Sequence, residues 1–264
     1  MTIPYWHVDA FADRAFTGNQ AAVMILDQWL DDAVLQVIGA ENLFAETAFV
    51  VRDATGEADW ELRWFTPEVE IRLCGHATLA SGHVLLGLDP ALERVRFRTR
   101  QAGVLEVRRL GEAYEVALPC IATTPGEWPE ACVALGAEVN EVWRSADGHY
   151  NVFLLADEDA VRGIAPDMAA LGGMGEQQFA VTAPGRATDV VSRVFVPGAG
   201  VPEDSVTGSA HAVLTPFWAD KLGRESFTAF QASARGGALT CRRDGAQAWL
   251  GGQCVTVVEG TFRL

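Results

Sequence analysis

Arg72-Leu-Cys-Gly-His-Ala-Thr-Leu-Ala-Ser-Gly-His-Val-Leu-Leu86 is a polar, turn-like entry followed by a run of small and apolar residues. A helix that is apolar or small nearly all round has no face for water and is buried on every side. The segment after Gly75 is therefore predicted to be a helix inside a curved sheet. The pattern returns at Val206-Thr-Gly-Ser-Ala-His-Ala-Val-Leu-Thr215, which sets Gly208 opposite Gly75 at an offset of 133 residues (75 to 208). The lead-ins agree, because Phe65-Thr-Pro67 matches Phe195-Val-Pro197 at an offset of 130 (65 to 195). Asn151-Val-Phe-Leu-Leu-Ala-Asp157 echoes Asn19-Gln-Ala-Ala-Val-Met at 132 (19 to 151). Solenoid repeats are much shorter than this. The period predicts two duplicated halves with a site between them.

Bulk properties narrow the function. A length of 264 residues fits one large domain or two small ones, and 49% hydrophobic with 21% charged residues allows a real core. A net charge of −15 argues against a nucleic-acid or anionic-membrane surface, which needs clustered Lys and Arg. No apolar run approaches membrane length, and the start lacks a basic leader. The five cysteines (74, 120, 132, 241, 254) show no metal or disulfide spacing. The expectation is a soluble cytoplasmic protein with reduced thiols.

Along the chain, strands are expected at Tyr5–Phe11 and Ala21–Leu26. Asp27 can cap a helix carrying Leu30, Val34, Leu35 and Ile38, with Gly39 ending or weakening it. A strand from Glu46 and a second at Trp60–Phe65 make a hairpin. Pro119–Pro129 is the best linker, so the first domain is 1–118. In the second half Asp157 starts a helical region broken by Pro166, and Gln178–Thr182 with Asp189–Phe195 repeats the hairpin. Pro216 is expected to kink or stop the second buried helix.

Few residues offer chemistry. Glu46 opens an apolar strand, where partial desolvation suits a general acid or base; the plainer reading is a strand-edge carboxylate in water. His76 follows Gly75 at a helix N-terminus and could shuttle a proton, while the nearby N–H groups could bind a carboxylate; the alternative is a packed structural histidine. His83 and His211, on the helices themselves, read as structural. Asp204 can cap the turn before the second helix or orient a substrate. Glu68 and Glu70, beside Pro67, read as exposed loop charges. Cys74 precedes the first helix, where the macrodipole favours a thiolate. Two such cysteines would make a two-base racemase, but the matched position is Thr207. No phosphate loop, dinucleotide fingerprint or metal-ligand spacing is present, so a site without metal or cofactor is the simplest reading.

These pieces resemble the PhzF (phenazine biosynthesis-like) family of the diaminopimelate epimerase superfamily. The resemblance runs through Asp9-Ala-Phe-Ala-Asp13, Phe16-Thr-Gly-Asn19, Ala45-Glu-Thr-Ala-Phe-Val50, Cys74-Gly-His-Ala77, Glu203-Asp-Ser-Val-Thr-Gly-Ser-Ala-His211 and Gln231-Ala-Ser-Ala-Arg-Gly-Gly237. It implies an α+β fold of two pseudo-symmetric domains, each a central helix wrapped by a mixed β-sheet. A C-terminal strand at about 253–264 returns to the first domain, leaving 119–252 as the second. It also implies a homodimer and cofactor-free proton transfer on a small carboxylated metabolite held between the domains. Glu46 matches the acid/base glutamate, and His76 and Asp204 match supporting polar residues. Asn19, Cys74, Gly75, Ala77, Thr207, Gly208 and Ser209 are the implied substrate-binding residues. Ser205 departs from the family pattern, where Pro is usual. The rivals are an amino-acid epimerase using Cys74, and a binding protein that has lost turnover.

Overall fold

The computed structural model describes residues 1–264, which form two compact units, one of 1–118 with 251–264 and one of 119–250. The first contains β1 (Thr2–Ala10), β2 (Asn19–Ile25), α1 (Asp32–Asn42), β3 (Glu46–Arg52), β4 (Trp60–Phe65), β5 (Glu70–Ile71) and α2 (Gly75–Leu88). β6 (Arg94–Thr99), β7 (Val104–Leu110) and β8 (Ala113–Pro119) follow, and the C-terminal strand, the eighteenth in chain order (Cys254–Arg263), pairs antiparallel with β1. β2 and β3 run parallel, β3 and β4 antiparallel, β4 and β6 parallel, and β6 and β7 antiparallel. This mixed sheet wraps α2, which packs against β1, β2, β3, β6, β7 and the C-terminal strand. Eleven of the fourteen α2 residues are buried, so the helix has no polar face to offer water. Its buried hydroxyls are satisfied locally, Thr78 Oγ1 donating to Cys74 O (2.5 Å) and Ser81 Oγ to Ala77 O (2.7 Å). Gly82 is required by close approach: a Cβ there would lie 2.3 Å from Val107 Cγ1.

The other face of this sheet is covered by α1, through Leu35 and Ile38 against Met24, Phe49 and Phe65. Here the sequence reading needs correction. The helix starts at Asp32 with Asp31 at the N-cap, so Asp27 caps nothing, and Gly39 lies inside it. Packing explains the tolerated glycine, because a Cβ at 39 would be 3.1 Å from Phe65 Cβ. Glu70 is not a free loop charge either. The Arg63 guanidinium is 3% exposed and is gripped by Glu70 through two hydrogen bonds (2.8 and 2.7 Å), with Asp32 at 2.9 Å.

The second unit contains β9 (Thr123–Gly126), α3 (Pro129–Leu135), β10 (Glu141–Ser145), β11 (Tyr150–Leu154), α4 (Glu158–Gly163) and α5 (Met168–Gly172). Then come β12 (Gln178–Pro184), β13 (Val190–Val196), β14 (Val201–Asp204), α6 (Gly208–Leu222), β15 (Ser226–Gln231), β16 (Gly237–Asp244) and β17 (Gln247–Gly252). The expected linker thus contains a strand, β9, paired with β10. The pairing order repeats the first unit: β11 with β12 parallel, β12 with β13 antiparallel, β13 with β15 parallel, β15 with β16 antiparallel. Thr47 opposite Phe65 becomes Phe179 opposite Phe195, and Leu62 beside Thr99 becomes Ser192 beside Gln231. The ion pair repeats as well, half-buried, with Arg193 gripping Glu203 (2.7 and 2.9 Å).

Register corrects one landmark. Glu46 pairs with Ala21, and its counterpart Gln178 pairs with Tyr150. Asn151 therefore stands where Ala22 stands, not where Asn19 does. Pro216 does not stop α6, which runs on to Leu222. A proline lacks the N–H that would bond the carbonyl four residues back. That carbonyl, Ala212 O, instead accepts from Ile121 N (3.2 Å). No helix of the protein is long and apolar enough to cross a membrane.

Candidate active site

The N-terminus of α2 and the starts of β2 and β3 converge within the first unit. Glu46 is the first residue of β3 and lies beside Ala21 on β2, so Asn19 and Gln20, just upstream on β2, share its end of the sheet. Gly18 makes the preceding turn possible. It has φ of +66°, and a Cβ there would meet Ala10 O at 2.2 Å. Cys74 is the N-cap of α2, in extended backbone and without a side-chain cap. Thr78 N bonds Cys74 O (3.2 Å). Helix geometry leaves the Gly75 and His76 N–H groups without intrahelical partners.

His76 sits at the centre of this cluster and is 3% exposed. Its Nε2 lies 3.2 Å from Gln20 O and 3.1 Å from Glu46 Oε2. A carbonyl can only accept, so Nε2 carries a proton. Nδ1 lies 3.1 Å from Asn19 Nδ2 and 3.5 Å from Cys74 Sγ. Glu46 Oε2 is buried yet makes no well-aligned hydrogen bond, leaving a desolvated carboxylate oxygen beside a protonated imidazole nitrogen. Burial by itself works to lower the His76 pKa, but negative charge at Cys74 or Glu46 outweighs it and holds the imidazole well above its ordinary value. Burial, reinforced by Glu46, pushes the Cys74 thiol up to about 11. The Cys74 sulfur and the Glu46 carboxylate thus both stand against the imidazole that they raise.

The structure brings Glu46, His76, Cys74 and Asn19 together in one cluster. Glu46, Cys74 and His76 form the one three-donor group of metal-binding type. The thiol flanks Nδ1 and the carboxylate flanks Nε2, whereas an imidazole ligates through one nitrogen at a time. One donor atom from each lies within 4.8 Å of the others.

The corresponding turn of the second unit is built from different chemistry. Thr207 replaces Cys74 as N-cap, and its hydroxyl donates to Asp204 Oδ2 (2.7 Å). Gln231 ties the turn together. Its Oε1 accepts from Thr207 N (2.8 Å), and its Nε2 donates to Asp204 O (2.8 Å) and Thr207 Oγ1 (3.1 Å). Ser233 Oγ donates to Ser205 O (2.6 Å). The 231–237 motif is thus the brace that shapes the Asp204–Ser209 turn. Gln178 Nε2 donates to Ser209 Oγ (3.1 Å). His211 is structural: Nδ1 contacts Thr207 O (2.8 Å), and burial lowers its pKa to about 4. His83, also half-buried on α2, contacts Thr256 Oγ1 (2.9 Å), and burial with the nearby Arg109 lowers it to about 4. Sequence reading missed Gln178 and Gln231 as site residues. The signal for Gln178 was its offset of 132 from Glu46 (46 to 178), the same as other landmarks of the repeat.

Comparison with known proteins places this arrangement in context. The family described as phenazine biosynthesis-like protein (PhzC-PhzF) matches residues 8–260. The chain is 46% identical over 266 residues to a protein of Pseudomonas aeruginosa called an uncharacterized isomerase, covering 100% of both chains. A crystal structure of a PhzF-family phenazine biosynthesis protein from Enterococcus faecalis superposes with a TM-score of 0.91 at 41% identity, covering 100% of both chains. A hydroxyproline epimerase from Agrobacterium vitis shares the fold alone, with a TM-score of 0.62 at 12% identity over 98% of this chain and 92% of that one.

Proposed function

Since the chain belongs to the phenazine biosynthesis-like (PhzC-PhzF) family, we propose that it is an isomerase moving a proton on a small carboxylated metabolite without a cofactor. The observation that carries this reading is the Glu46 oxygen, buried and without a well-aligned hydrogen bond, 3.1 Å from His76 Nε2. A carboxylate oxygen without a well-aligned hydrogen bond keeps a lone pair open to a substrate proton. Glu46 removes the proton from one carbon and returns it to another on the same face of the substrate. His76, whose Nε2 proton lies beside Glu46, binds and polarises the substrate. The Gly75 and His76 N–H groups, at the positive end of α2, hold its carboxylate.

The second turn is assigned to substrate by its match to the first and by the family pattern. Asp204 orients the substrate, while Gly208 and Ser209 offer carboxylate contacts. The two-thiol form of an epimerase requires a thiolate on each side. The protonated Cys74 and the threonine at 207 both speak against it.

The test is an incubation of the purified protein with a metabolite extract, comparing wild type with Glu46→Gln. A pair of carboxylated metabolites of equal mass should interconvert with wild type and not with the variant. Interconversion at equal rates with both proteins would overturn the role of Glu46.

A further inference from the structure

Positions 46 and 178 are one place in the repeat. Each opens the strand that pairs parallel with its predecessor, and each side chain reaches the second residue of the buried helix, His76 or Ser209. Both contacts span 3.1 Å. The side chains differ by one atom, a carboxylate oxygen against an amide nitrogen, and that exchange removes a negative charge. Gln178 is 6% exposed, so its amide is not free to wander.

The Ser209 hydroxyl is unusual among those of the two helices. Thr78, Ser81 and Thr215 each spend their hydrogen on the carbonyl four residues back. At Ser209 that carbonyl is Ser205 O, which already accepts from Ser233. The Ser209 oxygen instead accepts from the Gln178 amide. A hydroxyl whose oxygen is so engaged keeps its hydrogen for another acceptor.

We propose that Gln178 is a positioning residue that turns the Ser209 hydroxyl hydrogen outward as a carboxylate donor. It acts beside the Gly208 and Ser209 N–H groups, and the proposal rests on the reading above that this turn holds a carboxylate. Duplication then gave the two halves different work at the same position: Glu46 moves a proton, and Gln178 shapes a neutral cradle that an anion can enter.

Benzoate is a suitable probe, with benzamide as its uncharged counterpart. Both are titrated into the ¹⁵N-labelled full-length protein while the Gly208 and Ser209 amide signals are followed. Wild type should respond to benzoate and not to benzamide. A hydrogen bond to a charged group corresponds to an affinity change of about tenfold or more. Gln178→Glu, which replaces the donor by an anion, should weaken benzoate by at least that factor. Gln178→Leu should weaken it by about as much as Ser209→Ala, and the double variant should be no worse than Ser209→Ala alone. A purely structural role would give additive losses, because general loosening does not depend on the hydroxyl. Benzoate affinity within twofold of wild type in both Gln178 variants, or additive losses, overturns the proposal. Absence of any benzoate response in wild type overturns the carboxylate role of this turn itself, and the proposal with it.

Discussion

Gly82→Ala tests how the sheet seats the helix that carries Cys74, Gly75 and His76. The new Cβ would stand 2.3 Å from Val107 Cγ1, 2.6 Å from its Cβ and 3.0 Å from Cγ2. Rotating Val107 can clear the methyl groups but not its Cβ, so β7 or α2 must move. Val107 is completely buried. Overpacking of this kind costs about 1–3 kcal/mol, and a clash that no rotamer relieves belongs at the upper end. Urea unfolding should show a lower midpoint with an unchanged slope. Val107→Ala alone should also destabilise, by removing buried methyl groups. Together the two changes should cost less than their sum by about 1 kcal/mol, because the shortened side chain relieves part of the clash. The His76 imidazole signals should move in Gly82→Ala and shift back toward wild type in the double variant. Strict additivity, or a Gly82→Ala midpoint equal to wild type, would refute the close-approach argument.

The buried histidines predict an acid limb. His211 and His83 are lowered to about 4 in the folded protein against 6.5 unfolded, so below pH 6.5 the unfolded chain binds more protons. Stability should fall as pH drops from 6.5 toward 4, by as much as roughly 3 kcal/mol for fully buried His211, and His211→Gln should flatten urea midpoints measured over that range. His76 has the opposite sign: its raised pKa contributes stability that is complete below 6.5 and lost as pH rises through the folded value. Because Glu46 joins Cys74 in raising it, Glu46→Gln should lower the His76 pKa read by imidazole NMR, and an unchanged titration would show that Glu46 is not its electrostatic partner. Cys74, with a thiol at about 11, is ionised to about one part in ten thousand at pH 7. Cys74→Ser should therefore keep most of the isomerase activity, whereas a loss of several orders of magnitude would restore the thiol reading.

Much of this fold is written in local pattern. The all-round apolar runs after Gly75 and Gly208 could not face water, and both helices lie buried. What the sequence hid was set by distant partners. Asp27 has the residue type of a cap, but the helix that packs Leu35 and Ile38 on the sheet starts only at Asp32. Pro216 looked like a breaker because Ile121, the donor that relieves it, lies 95 residues earlier (121 to 216). Glu70 looked solvated because its buried partner Arg63 belongs to another strand. Asn151 imitated Asn19 by residue type, and only the β2–β3 and β11–β12 registers separate them. The titratable site residues were legible because desolvated acids and histidines at helix starts signal chemistry. Gln178 has no charge to perturb, so it surfaced only when its hydrogen bond to Ser209 matched the Glu46–His76 contact.

The central claim is that Glu46 moves the proton. Its most direct measurement is the turnover of Glu46→Gln on a substrate isomerised by wild type, with affinity measured in parallel. Gln keeps the shape and removes the titrating oxygen, and positioned acid–base catalysis is worth about 10²–10⁴-fold. The account predicts that kcat falls by about that factor while the substrate still binds. Turnover at the wild-type rate would contradict it and leave His76 as the next candidate base.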